Sequence, residues 1–304
     1  MNKPRADMYG KHYDIQTQYP SGDAKVPLSE TNALEYGEYR VCTVYPHRGM
    51  DADYFWILPL GEKPAKLSFT NYTSHNVVFD WSCDRIEWNT VLVPSNDIGA
   101  MNLPGRMRTY FRANSETEFS NAQGEFFRMQ CEEAHKIGGS LATLTNVVGP
   151  YCFSRFFESS AGLVDASGLK LTECLNEWCC YRMFYKCGSL TAAPRFSDTA
   201  LSPHCYDSMM QYCYKIESVE LPFNMTPDTS FTTGACADMF LACTSLREVS
   251  VHTPVWNVGC TDGWLTSVAP SGVLHNYGGA HPIPAGSASG APQGWDIVVP
   301  NGVS

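Results

Sequence analysis

The chain has 304 residues, 44% of them apolar and 12% aromatic, enough to build more than one sizeable core. Its 21 basic and 31 acidic residues leave a net charge of −10, with 14 basic against 18 acidic groups in residues 1–151 and 7 against 13 in 152–304. Lacking any basic stripe, it is unsuited to nucleic-acid backbones or anionic lipid, and no apolar run approaches the ~20 residues of a membrane span.

Residues 1–44 are rich in Tyr, Pro, Gly and polar side chains with little periodicity, and read as an N-terminal attachment arm. They hold no apolar h-region, so a signal peptide is not expected. Residues 45–111 turn to short aromatic and β-branched runs, Tyr54–Leu58, Ala65–Phe69, Val77–Trp81, Ile86–Trp88 and Thr90–Val93, separated by Pro, Gly, Asn and Asp. That pattern predicts a small antiparallel β-sandwich or half-barrel. Residues 112–151, with Phe119, Phe126, Phe127, Leu141 and Leu144, are expected to seal the N-terminal end of the repeats that begin at residue 152.

In those repeats one cassette recurs: a small residue, a bulky apolar pair four and five places on, a small residue at eight and an aliphatic at eleven. Its copies are Cys152/Phe156-Phe157/Ser160/Leu163, Cys179/Met183-Phe184/Cys187/Leu190, Cys205/Met209-Met210/Cys213/Ile216 and Ala235/Met239-Phe240/Cys243/Leu246. Matched spacing over this length means stacked units sharing one core, hence a solenoid over 112–256 with its N-terminal cap. Positions 0, 4, 8 and 11 share one side of a 3.6-residue helix, and the alternation after eleven (Val219 and Leu221; Val249 and Val251) predicts a short strand. The expected fold class is therefore an α/β repeat, a helix and a strand in each unit, behind the β-rich domain.

The runs 179–196 (CCYRMFYKCGSLTAAPRF), 205–222 (CYDSMMQYCYKIESVELP) and 236–251 (CADMFLACTSLREVSV) resemble the BspA-like leucine-rich repeats of gut Bacteroidales proteins and of phages that infect those bacteria. TYFRAN at 109–114, GWLTSVAPSGVL at 263–274 and GAPQGWDIV at 290–298 look like that family's flanks, so the resemblance covers about residues 65–304. The Cys-Tyr opening is shifted in the second copy, Ala237 follows Cys236 in the fourth, and Ser160 stands for the second Cys in the first. The resemblance implies a leucine-rich-repeat scaffold and no particular reaction.

Most of the 13 cysteines occupy repeat positions shared with Ser or Ala, which predicts reduced, buried thiols in place of disulfides, with adjacent Cys179 and Cys180 facing opposite ways. Residues 257–304 are Gly/Pro/Ser-rich, and Trp264 and Trp295 are expected to fold back as a C-terminal cap. No spacing of Ser, Cys, His or carboxylates suggests catalysis, a metal site or a cofactor; Asp51 and Asp53 read as a solvated loop, and GSASG places Ala288 where a nucleophile elbow needs Ser. Tyr181 and Tyr206 read as joints between repeats, with Tyr212 and Tyr214 as candidate surface contacts.

The expectation is a non-enzymatic structural or binding protein, a phage virion component such as a capsid decoration, head fibre or tail-associated protein. Its partners would be other virion subunits through residues 1–44 and a host-surface protein or glycan, in a homo-oligomer or multi-copy assembly. The alternative is a bacterial cell-surface adhesin or glycan-binding module.

Overall fold

The alternation between Phe55 and Arg112 is realised as strands. The computed structural model describes residues 33–36, 39–43, 53–114, 117, 121–145, 147–171, 176–196, 201–222, 225, 233–279 and 281–300. A hairpin of β1 (Ala33–Tyr36) and β2 (Tyr39–Thr43) precedes β3 (Phe55–Pro59), β4 (Ala65–Tyr72), β5 (Val77–Ser82), β6 (Asn89–Val93), β7 (Asp97–Leu103), β8 (Thr109–Arg112), β9 (Phe126–Cys131) and β10 (His135–Ser140). A 3-10 turn, Leu141–Leu144, leads to β11 (Val147–Val148), which pairs with β2. The rest of the expected arm, residues 1–32, 37, 38 and 44, lies outside the described residues.

In β4, Leu67 and Phe69 point inward while Lys66 and Tyr72 are exposed, the signature of a sheet with one solvated face. Two sheets result, β7-β4-β9 and one that contains β10-β3-β8-β5-β6. They meet through Phe69 and Phe79, 5.5 Å apart and edge-on, and through Phe79 and Phe127 at 5.9 Å, so the β-rich half is a sandwich. Phe55 carries this core into the first cassette by touching Phe156 and Phe157. One cluster of buried side chains then runs from Phe55 to Trp295. The expected strand Ile86–Trp88 is instead a turn: Asp84 accepts from the Ile86 and Glu87 amides, Arg85 sits at φ 65° and Ile86 is 66% exposed.

The cassettes are not helices, and the α/β expectation gives way to an almost wholly β repeat solenoid without an α-helix among the described residues. Each cassette is a string of tight turns. In the second, the amides of Cys179, Tyr181, Met183, Tyr185 and Cys187 donate three residues back, while those of Trp178, Cys180, Arg182, Phe184 and Lys186 donate to carbonyls of the third cassette. Every amide is used, half within the turn and half between turns, which a helix bonding four residues back does not permit. The chain enters the left-handed region every fourth residue: Trp178, Arg182 and Lys186, then His204, Ser208 and Tyr212. That conformation costs about 1–2 kcal/mol per non-glycine residue, offset here by the bonds between turns.

The same correction reaches the repeat-core positions one by one. Leu190, Ile216 and Met239, expected on the inward face of a helix, sit in turns instead, and their amides donate three residues back to the carbonyls of Cys187, Cys213 and Cys236. Their burial is as expected: Leu190, Ile216 and Met239 are wholly inaccessible to solvent. So are Phe156, Leu163, Met183, Cys205, Met209 and Leu246, and Cys152 is nearly so. A four-residue period also explains the two-in, two-out pattern. Cys179 and Cys180 are both fully buried with sulfurs 4.0 Å apart, against the expectation that they face opposite ways.

The stack extends beyond the fourth cassette into residues 260–266, whose carbonyls accept from Cys236, Asp238, Phe240 and Ala242. Trp264 is fully buried there and Trp295 nearly so, where a cap was expected. Strands β12 (Leu163–Lys170), β13 (Ser218–Leu221), β14 (Glu248–Val251), β15 (Gly272–Asn276) and β16 (Trp295–Val298) complete the turns.

Candidate functional site

Alternation along the short strands decides which side chains meet solvent. β13, β14, β15 and β16 pair in parallel, aligning Val219, Val249, Leu274 and Ile297 on the core side. The same register lines up Ser218, Glu248, Val273 and Asp296, and beside them Glu220, Ser250, His275 and Val298, on the outer face. The ribbon thus presents two rows of mostly polar side chains on rigid backbone.

The ladder is interrupted between the second and third units. β12 pairs in parallel with β10, and the second unit pairs with β12 through the isolated bridges Asp165 to Ala192 and Lys170 to Arg195. By repeat register Pro194 stands where Glu220 and Ser250 stand in the next units. Proline has no amide hydrogen and is excluded from the middle of a sheet, so residues 192–196 form no strand with β13. An open groove of about 540 Å³ occupies the break, with Ala193, Pro194, Arg195 and Phe196 on one wall and Ser218, Glu220, Glu248 and Ser250 on the other.

Carboxylates dominate the rim. Glu220 lies 3.1 Å from His252 and Glu248 lies 3.5 Å from His275, while Glu217 pairs with Arg247. Tyr277 stacks on His252 with centroids 4.8 Å apart. Arg195 donates to the Ser167 carbonyl and remains exposed. The site is suited to recognition by hydrogen bonding and charge.

Tyr212 and Tyr214 lie elsewhere, on the turns. Tyr212 packs between Tyr185, 5.5 Å away, and Tyr214, 6.1 Å away, and Tyr214 is 47% exposed. Tyr206 is fully buried, and Tyr181 is half-buried against Trp178. Along the same side Tyr151, Trp178 and His204 form a continuous stack with interplanar angles of 6° and 4°. It ends at Gly234, where a Cβ would lie 2.4 Å from the His204 ring. Asp207 bridges His204 and Ser208, so the hydroxyl bonds the carboxylate and this trio is not a nucleophile held by its base.

Asp53 forms an exposed ion pair with Lys170, and Asp51 lies outside the described residues. Among the described residues no cluster of three His, Cys, Asp or Glu side chains could hold a metal ion. Arg112 of the TYFRAN segment is buried, doubly hydrogen-bonded to Asp80 at 3.2 Å and lying 3.7 Å over the Trp88 ring, a role in the core of the sandwich. Asn71, in an Asn-Tyr-Thr triplet, is buried and its amide donates to the carbonyls of His75, Val93 and Pro94.

The groove residues Pro194, Arg195, Glu220 and Glu248, and the histidines His252 and His275 beside its carboxylates, are not apparent from the cassette pattern. The available signal is Pro194 in a strand slot of the repeat, visible once the copies are aligned beyond position eleven. Scans against family models, curated proteins and solved structures found no match for this chain.

Proposed function

We propose that the chain is a non-enzymatic recognition scaffold, using the outer face of its parallel ribbon to contact a partner. The observation that carries this reading is the groove at the ladder break, flanked by aligned polar rows on the paired strands of the ribbon. Rigid ribbon positions present side chains with little ordering cost on binding. The sequence resemblance to repeats of gut Bacteroidales and their phages favours display on a virion, with residues 1–44 as the attachment to neighbouring subunits and a host-surface protein or glycan as the target.

The test is adsorption of the fluorescently labelled chain to gut Bacteroidales cells. Ribbon substitutions Ser250→Arg and Val273→Arg should abolish adsorption, while Tyr212→Ala with Tyr214→Ala on the turn face should leave it intact. Adsorption insensitive to the ribbon and lost with the tyrosines would overturn the reading.

A further inference from the structure

We infer that the groove takes an extended, cationic stretch of polypeptide that adds as a strand to the free edge of β13. This inference rests on the ribbon being the recognition face. Bonds from the Glu248 amide to the Glu217 carbonyl and from the His252 amide to the Leu221 carbonyl fix the alternation of β13. Odd-numbered residues turn their peptide groups toward β14, so the N–H and C=O of Ser218 and Glu220 turn toward the second unit. No described residue bonds those four groups. Unpaired donors and acceptors in alternation are what a strand-adding peptide requires.

The opposite wall does not supply that strand. Pro194 occupies the slot in register with Glu220, and the backbone bonds of Ala192 and Arg195 run to Ala166, Leu169 and Leu171 on the far side. Phe196 and Val219, each under a tenth exposed, give the groove an apolar lining for one side chain of a guest.

Charge selects the guest. Glu217, Glu220 and Glu248 are 60%, 72% and 56% exposed at the rim. Against them stand Arg195 and Arg247, with Arg247 already paired to Glu217. A segment with Lys or Arg at alternate positions meets Glu220 and Glu248, which otherwise face the imidazoles of His252 and His275, and an acidic one is repelled. A glycan lacks the alternating amide and carbonyl groups that the β13 edge would pair.

The experiment is amide hydrogen exchange by NMR on the full chain, alone and with a blocked peptide of about ten alternating Lys and Thr residues, a length suited to strand addition. In the free chain the Ser218 and Glu220 amides should exchange fast beside slow Val219 and Leu221, and the peptide should slow the first pair. The same peptide N-methylated at alternate residues should lose this effect. Glu220→Lys and Glu248→Lys should each weaken binding about threefold, the scale of an exposed ion pair.

The inference is overturned if Ser218 and Glu220 are already protected in the free chain, if the peptide does not bind, or if it binds and leaves them fast. Cell adsorption that depends on the ribbon but leaves these amides fast would sink the inference alone. Peptide protection together with adsorption indifferent to the ribbon would support the inference and sink the proposed function.

Discussion

Position eight of the cassette shows why particular residues recur. The thiols of Cys187, Cys213 and Cys243 donate to the carbonyls of Phe157, Phe184 and Met210 in the preceding unit, at 3.1, 3.2 and 3.1 Å. Ser160, the apparent exception, donates to the Met129 carbonyl in the same way. The requirement is a small side chain with a hydrogen to give, which Cys and Ser both meet. Cys213→Ser should therefore cost about 1 kcal/mol or less, and Cys213→Leu about 2–3 kcal/mol through overpacking, measured by urea denaturation. Burial also pushes the Cys187 and Cys243 thiols up to about 12, which suppresses the reactive thiolate. Of the eleven cysteines whose burial is described only Cys83 reaches solvent, so brief alkylation of the native chain should modify Cys83 among them and spare the other ten until denaturant is added.

His135 gives a second consequence at this scale. It is wholly buried, its Nδ1 bonds the Glu133 carbonyl, its Nε2 has no partner, and burial lowers its pKa. The unfolded chain then takes up the proton more readily than the folded one. This contribution to stability is full above about pH 6.5 and is lost as pH falls below it, with a slope of up to about 1.4 kcal/mol per pH unit. Half-buried His281 shifts in the same direction. His135→Phe should flatten the pH dependence of the melting temperature between pH 6.5 and 5; an unchanged slope would assign the effect to other groups.

For the element, inward positions were legible in the sequence and the backbone that presents them was not. Apolar residues at 0, 4, 8 and 11 fit a helix of 3.6 residues and a four-residue turn nearly equally well. The sign of the difference lay in the doublets Cys179-Cys180, Met183-Phe184 and Met209-Met210, which a four-residue repeat buries together. What the pattern could not reveal is that Ser, Lys, Arg and Tyr accept left-handed backbone when the neighbouring turn takes up their amides. The two backbones predict opposite effects of glycine. At exposed Ser159 and Ser267, with φ of 60° and 59°, substitution by Gly should raise stability by about 1 kcal/mol, whereas in a helix it would lower it by a comparable fraction. A drop in melting temperature for both variants would return the cassette to a helix. The groove was hidden for a related reason. The cassette pattern ends at position eleven, and Pro194 interrupts pairing only where a neighbouring strand is in place to be interrupted.

For the whole molecule, the sequence suggested a β-rich domain and a separate solenoid, while the structure joins them. β10 pairs with β12, the Met129 amide bonds the Phe156 carbonyl, and Phe55 and Phe127 pack on Phe156. The sandwich is thus the N-terminal cap of the stack. At the other end Trp264 packs edge-on against Phe240, and its indole donates to the Gly290 carbonyl. Removing residues 257–304 should bare the fourth unit and produce aggregation at neutral pH, read by light scattering; a soluble truncation with a cooperative melt would contradict this. The ribbon holds its shape for a partner only if the described body from β3 to β16 is one folded unit. Native-state hydrogen exchange across a denaturant series tests that most directly. The account predicts that the slowest amides of β3, β8 and β10 and those of the second to fourth cassettes open together, with one free energy and one denaturant dependence. Separate opening of the sandwich, at lower free energy and with the cassettes still protected, would contradict it.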